Sequence, residues 1–232
     1  MIRAVIFDMD GVLVDSEPLW RKAVADAFFS IGVPLRPEEV LEIQGMRIDA
    51  LVEYFYRRYA WDAPPQEDVV RLIVDTVVAL IGEQGELKEG ARSALDFAAE
   101  RAGKVGLASS SPRRVIQAVI DRLDIASYFD VIHSAETEPY GKPHPAVYLT
   151  AAEKLDTPPP ACLAVEDSLS GLLSASSAGM KVLYVPDRAI VGDPRLALAD
   201  AVIPSLAKLD GRLWDRLGNN HRADRKQMLA GA

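Results

Sequence analysis

Four apolar residues, Ala4 to Phe7, run directly into Asp8, Met9, Asp10 and Gly11. An apolar run this short fits a strand buried on both faces, and it leaves two acids at the strand's carboxyl end. Positions i and i+2 of a strand point to one face. In a loop just past the strand, two such carboxylates can converge on one cation. Gly11 frees the backbone to turn there. An open α/β sheet takes its ligands beyond the carboxyl ends of its strands, so this stretch ties fold and site together. Two close carboxylates repel, and either one keeps a proton or both share a metal. Mg²⁺ suits the pair, because it accepts one or two carboxylates together with phosphate oxygens. An Asp-Gly turn would explain the same residues, so the rest of the chain has to decide.

The pattern changes after Asp15. Trp20, Ala23, Val24, Ala27, Phe28 and Ile31 follow helical spacing until Gly32, with Ser16 as a cap and Pro18 in the first turn. Ile48, Leu51, Val52, Phe55 and Tyr59 mark a second helix, and 67–81 a third. Residues 16–85 therefore read as all helical, too long for a crossover between neighbouring strands, and we expect an inserted helical domain. From residue 88 helices and strands alternate: helices over 89–102, 112–123, 145–155 and 169–178, strands over 104–109, 130–133, 162–166 and 181–185. Such alternation predicts an α/β fold with a parallel, doubly wound sheet. A short strand at 201–203 would close an edge, a last helix would cover 206–217, and 218–232 would be a flexible tail.

Composition narrows the setting. With 232 residues, 49% of them hydrophobic, there is ample material for a core. The net charge of −8 gives no general affinity for nucleic acid or an anionic membrane surface, so phosphate would be bound by a few local groups. The single cysteine, Cys162, sits in an apolar run, excludes an internal disulfide and fits a reducing compartment. No signal peptide is evident, and the most apolar helix, 69–81, is too short to span a bilayer. We expect a cytoplasmic, monomeric protein.

Three further strand ends carry polar groups. Ser109, Ser110 and Ser111 precede a helix, where hydroxyls and N–H groups can cradle phosphate. Lys142 lies between Gly141 and Pro143, in a held backbone, and can act as a point charge on phosphate. Glu166 and Asp167 end the 162–166 strand and would complete an oxygen-rich metal site with Asp8 and Asp10. His144, between two prolines, reads as structural or exposed. In the helical insertion, Glu17 and Arg47, the latter in a Gly45-Met46-Arg47 turn, are candidates for contacting a substrate.

Taken in order, VIFDMDG, GLASS, GKP and AVEDS resemble the four motifs of the haloacid dehalogenase (HAD) superfamily of phosphotransferases. The helical insertion is similar to that superfamily's C1-type cap. DSEPLW, GMRID, LASSSP, YGKPHPAVYL and EDSLSG look closer to its sugar-phosphate phosphatase branch, which itself resembles the β-phosphoglucomutase and phosphoglycolate phosphatase branches. The resemblance implies a Rossmann-like core of residues 1–15 and 86–217 and a cap of 16–85. It implies Asp8 as a nucleophile that becomes an aspartyl-phosphate and Asp10 as general acid and base. Mg²⁺ would be held by Asp8, the Asp10 carbonyl and Asp167, with Glu166 close by. Ser109, the Ser110 N–H and Lys142 would hold the phosphate. The implied substrate is a small sugar or sugar-alcohol phosphate, of the hexitol phosphate or 2-deoxyglucose 6-phosphate type.

A mutase is the main alternative. In β-phosphoglucomutase a cap-side His follows the Asp10 position by ten residues, and here that place holds Trp20. A dehalogenase lacks the acid that Asp10 supplies. A receiver-like signalling module would have its docking face obstructed by the insertion.

Overall fold

The computed structural model describes residues 1–42, 46–186 and 193–219. Six parallel strands form one sheet: β1 (Ala4–Phe7), β2 (Val105–Ser109), β3 (Val131–Ser134), β4 (Cys162–Glu166), β5 (Lys181–Tyr184) and β6 (Ala201–Val202). Their order is β3-β2-β1-β4-β5-β6. The chain thus builds outward from β1 to one side and then, from β4, to the other. This is the doubly wound α/β arrangement, with its topological switch beside β1. Both faces of β1 are buried. Val5 and Phe7 join one apolar cluster, and Ala4 and Ile6 the other, so its continuous apolar run is accounted for.

Four helices separate β1 from α5 (Ala91–Ala102): α1 (Glu17–Ser30), α2 (Pro37–Glu42), α3 (Ile48–Tyr59) and α4 (Gln66–Gln84). The chain leaves and re-enters the sheet region along two adjacent segments. Asp15 N–H donates to the Glu86 carbonyl at 3.1 Å and Lys88 N–H to the Leu13 carbonyl at 3.0 Å, with Val14 and Leu87 in an antiparallel bridge. Phe28, Phe55 and Trp61 pack edge to face inside the insertion, at 5.1 and 5.5 Å between ring centroids. That core does not stop at the insertion. Buried Val69, Ile73 and Val77 of α4 belong to one apolar cluster with Val115 and Val119 of α6 (Arg113–Leu123) and with Phe7 and Met9, and α4 packs along α6. The Arg114–Asp75 ion pair at 2.7 Å and Arg122 donating to the Gly85 carbonyl run along the same seam.

Helices α7 (Ala146–Lys154), α8 (Leu169–Ser177) and α9 (Gly211–Asn219) complete the helices of the described residues. Several boundaries differ from the sequence reading. Helix α2 has no periodic apolar stripe to announce it. It is held by buried Glu39, which accepts from Tyr59 Oη at 2.6 Å and pairs with Arg58 at 2.9 Å. Hydrogen bonds from Arg36 first and Tyr59 next lower the Glu39 carboxyl to about 2. The third strand begins at Val131, because Asp130 turns its carboxylate back to accept the Val105 N–H at 2.8 Å. The expected 206–217 helix is a 3₁₀ turn, Leu206–Lys208, followed by α9, whose start is capped by Asp210 Oδ1 accepting the Leu213 N–H at 2.8 Å. Gly218 and Asn219, assigned to a tail from sequence, finish α9; residues 220–232 lie outside the described residues. No helix among the described residues is long and apolar enough to cross a membrane.

Candidate active site

The switch beside β1 brings together groups from four chain segments. One cavity is lined by Asp8, Asp10, Ser109, Ser110, Lys142 and Asp167 from the strand ends, and by Glu17, Trp20 and Arg21 from α1. Lys142 Nζ lies 2.8 Å from Asp8 Oδ1 and donates to Glu166 Oε1 at 2.6 Å. It also donates to the Ala108 carbonyl at 3.3 Å. Tyr148, from the buried face of α7, donates to the same Glu166 oxygen at 2.6 Å. Ser168 caps α8 and donates to Glu166 Oε2 at 3.3 Å. Glu166 therefore sits against a helix N-terminus, where a carboxylate is favoured.

Two glycines make room for these acids. A Cβ on Gly171 would lie 1.9 Å from the Glu166 carboxyl carbon, and one on Gly11, whose φ is +76°, would lie 2.0 Å from Asp167 Oδ2. Side chains at either position would displace the carboxylates.

Asp8, Glu166 and Asp167 are all buried, and each offers an oxygen within 4.8 Å of the others. Lys142 is the one cation paired with this group among the described residues. Burial above all raises the Asp8 carboxyl; Lys142 opposes this, Glu166 and Asp10 add to it, and the outcome is about 7. Burial, then the charges of Asp8 and Glu166, hold Asp167 well above the carboxylate range. For Lys142, burial works against the charge, but Asp8 and Glu166 outweigh it and raise the ammonium. Three carboxylates facing one ammonium are short of positive charge. An all-oxygen set with this deficit fits a hard divalent cation.

Asp10 does not join that trio. Its Oδ1 accepts from Ser16 Oγ at 2.5 Å and Trp20 Nε1 at 3.0 Å, and its Oδ2 from Ser111 Oγ at 2.6 Å and, weakly, Ser109 Oγ at 3.4 Å. The expected convergence of four acids is thus corrected to three carboxylates beside a fourth held apart by donors. Ser16 is corrected as well. It occupies the position before α1 but makes no capping bond, because its hydroxyl reaches Asp10 instead. The Ser109–Pro112 loop delivers hydroxyls and N–H groups at the start of α6, a position suited to an anion. Ser111 N–H donates to Ser109 Oγ at 3.0 Å, while the buried Ser110 Oγ has no partner among the described residues.

The two candidates in the insertion part company. Glu17 lines the cavity, 3.8 Å from Arg21 one helical turn on. Arg47 does not line it. Its guanidinium is forked onto Asp49 at 2.7 Å for both bonds, and Nη1 also donates to the Glu138 carbonyl at 2.8 Å and the Ala135 carbonyl at 3.3 Å. Gly45, of the proposed turn, lies outside the described residues. His144 is exposed, its ring tilted against Tyr140 at 5.2 Å between centroids, and Cys162 is buried in an apolar strand. Ser16, Arg21 and Tyr148 were not singled out from sequence as site residues, and Trp20 only as the residue standing where a mutase has its His. The i, i+3, i+4 spacing of 17, 20 and 21 on one helix face was the available signal.

Residues 2–179 match the family model for haloacid dehalogenase-like hydrolases. The chain is 41% identical over 218 residues to hexitol phosphatase B of Escherichia coli (strain K12), covering 94% of this chain and 97% of that one. It superposes on the crystal structure of CbbY from Rhodobacter sphaeroides in complex with phosphate with a TM-score of 0.80 at 30% identity, over 90% of this chain and 96% of that one. The β-phosphoglucomutase of Clostridium difficile gives a TM-score of 0.80 at 25% identity, over 94% and 98% of the two chains.

Proposed function

Because this chain belongs to the haloacid dehalogenase-like hydrolases and is a phosphoric monoester hydrolase, we propose that it is a Mg²⁺-dependent phosphatase of small sugar or sugar-alcohol phosphates. The observation that carries the reading is the trio Asp8, Glu166 and Asp167 gathered on Lys142, in one cavity with the Ser109–Ser111 loop and the α1 face. The likeness to hexitol phosphatase B supports the substrate class. We take residues 1–15 and 86–217 as the core and 16–85 as a cap over it. The paired segments around Val14 and Leu87 support those junctions.

In this mechanism an Asp8 oxygen attacks phosphorus while the bond to the sugar oxygen breaks, and Asp10 delivers a proton to that oxygen. Water then adds to phosphorus, Asp10 takes its proton, and the acyl phosphate bond breaks to return Asp8 and release phosphate. Ser16, Trp20 and Ser111 hold Asp10 in place between the two steps. Lys142 and the Ser109 and Ser110 groups bind the phosphoryl oxygens and keep the group in line. Mg²⁺ held by Asp8, Glu166, Asp167 and the Asp10 carbonyl would supply positive charge to the transferring group. That charge is also what Asp8 needs to stay ionised, since burial otherwise raises it to about 7.

A panel of hexose, hexitol and 2-deoxyhexose phosphates tests the proposal. Phosphate release should require Mg²⁺, stop on chelation, and fall by orders of magnitude in a folded Asp8→Asn variant. Unimpaired release by that variant would remove Asp8 from its role. A mutase is disfavoured because Trp20, which donates to Asp10, cannot take up a proton there.

A further inference from the structure

Tyr184 ends β5 with its side chain fully buried, and its hydroxyl has no hydrogen-bond partner among the described residues. A buried orphan hydroxyl is costly and calls for an explanation. Its position supplies one. Tyr184 is in register with Glu166 on the adjacent parallel strand, and Val185 N–H donates to the Glu166 carbonyl at 2.7 Å. In-register neighbours point to the same side of a sheet. Tyr184 lies with Ala164, Val182 and Tyr148 in the apolar cluster on that side.

Glu166 therefore stands near two buried tyrosines. Tyr148 already bonds it, and Tyr184 does not. Burial first, then the charges of Asp167 and Glu166, raise the Tyr184 hydroxyl well above its usual range, so it remains a donor. Asp193, the other acid that reaches it, is engaged by Arg195 at 2.6 Å.

We propose that Tyr184 is a positioning residue of the cation site, donating in the cation-bound state through a bridging water to its in-register neighbour Glu166. With no acceptor oxygen in direct reach, a water is the bridge that satisfies both groups. Donors behind the ligands of a metal orient them and strengthen binding, commonly by about tenfold or more. The proposal rests on the cation reading of the trio given above.

The test is Mg²⁺ binding by calorimetry at neutral pH, with Mg²⁺ alone, on the wild type and Tyr184→Phe, each also unfolded by heat in chelator. The substitution keeps the ring and removes the orphan. The variant should then be at least as heat-stable as the wild type without cation, yet bind Mg²⁺ about tenfold or more weakly. Opposite movement of stability and affinity is not expected of a packing residue. Equal Mg²⁺ affinity in the two proteins would overturn the proposal. So would failure of Tyr184→Phe to fold, which would make the hydroxyl structural. A wild type that binds no Mg²⁺ would instead bring down the cation reading itself.

Discussion

Arg47 Nη1 donates to the carbonyl oxygen of Glu138 at 2.8 Å, and the Glu138 side chain in turn holds His133 Nε2 at 2.6 Å. A residue of the helical insertion is thereby fastened to the loop that follows β3. The guanidinium is spent on this clasp and on Asp49, and we read Arg47 as holding the insertion down.

Arg47→Ala should therefore lower kcat/KM alike for a hexitol phosphate and for a small aryl phosphate. A lost charged hydrogen bond is worth about 1.5–3 kcal/mol, or roughly ten- to a hundredfold. Lys at this position should not restore activity, because it cannot fork onto Asp49 while reaching both carbonyls. Kinetics on the two substrates decide the matter, since a loss confined to the sugar phosphate would return Arg47 to substrate recognition.

Lys142 is nearly enclosed and neutralises Asp8 and Glu166 together. Lys142→Met leaves both acids without their ammonium. Removing one partner of a buried ion pair costs about 3–5 kcal/mol. Urea unfolding should show that loss in chelator and a smaller one in Mg²⁺, together with collapse of phosphatase activity.

The acidic centre also sets a pH dependence. Folding raises Asp8 from 3.8 to about 7, so between those values the native state keeps a proton that the unfolded chain has released. Stability then falls as pH rises through that window. In chelator the melting temperature should drop from about pH 4 towards pH 7, and Mg²⁺, by favouring the ionised trio, should flatten the drop. An apo protein whose stability does not respond to pH across this range would contradict the raised carboxyl.

Trp20→Phe removes one N–H from Asp10 and keeps the ring. Ser16 and Ser111 remain, so Asp10 loses one of its restraints. A single hydrogen bond of about 1–1.5 kcal/mol corresponds to roughly a five- to tenfold lower kcat. KM should change little, because the restraint acts on the proton-transferring group. An unchanged kcat would show that the indole serves packing alone.

The strands and their ligands were legible because each is written locally: a short apolar run, then acids or serines, then a helix start. Asp8, Ser109 and Glu166 could be placed at strand ends without knowing the sheet order. What escaped was decided at long range. Ser16 reads as a cap, and only the fold shows Asp10 within reach of its hydroxyl. Helix α2 depends on Glu39 meeting Tyr59 and Arg58 from α3, twenty residues away in the case of Tyr59. Arg47 looked available because the carbonyls that take up its donors lie about ninety residues further along the chain.

The seam between α4 and α6 ties the helical insertion to the core. Val69, Ile73 and Val77 share their apolar cluster with Val115 and Val119, and parting the two helices would wet all of them. Each large side chain so exposed costs about 1.5–3 kcal/mol, too much for a motion repeated every turnover. The cavity itself is lined by Glu17, Arg21 and Met46 of the insertion together with Ser168 and Lys142 of the core. The two steps proposed above set an order of departure: the dephosphorylated alcohol must leave before water can reach phosphorus on Asp8, and inorganic phosphate leaves last. Free phosphate should accordingly inhibit as a competitor of the substrate, while the released polyol should inhibit weakly at most.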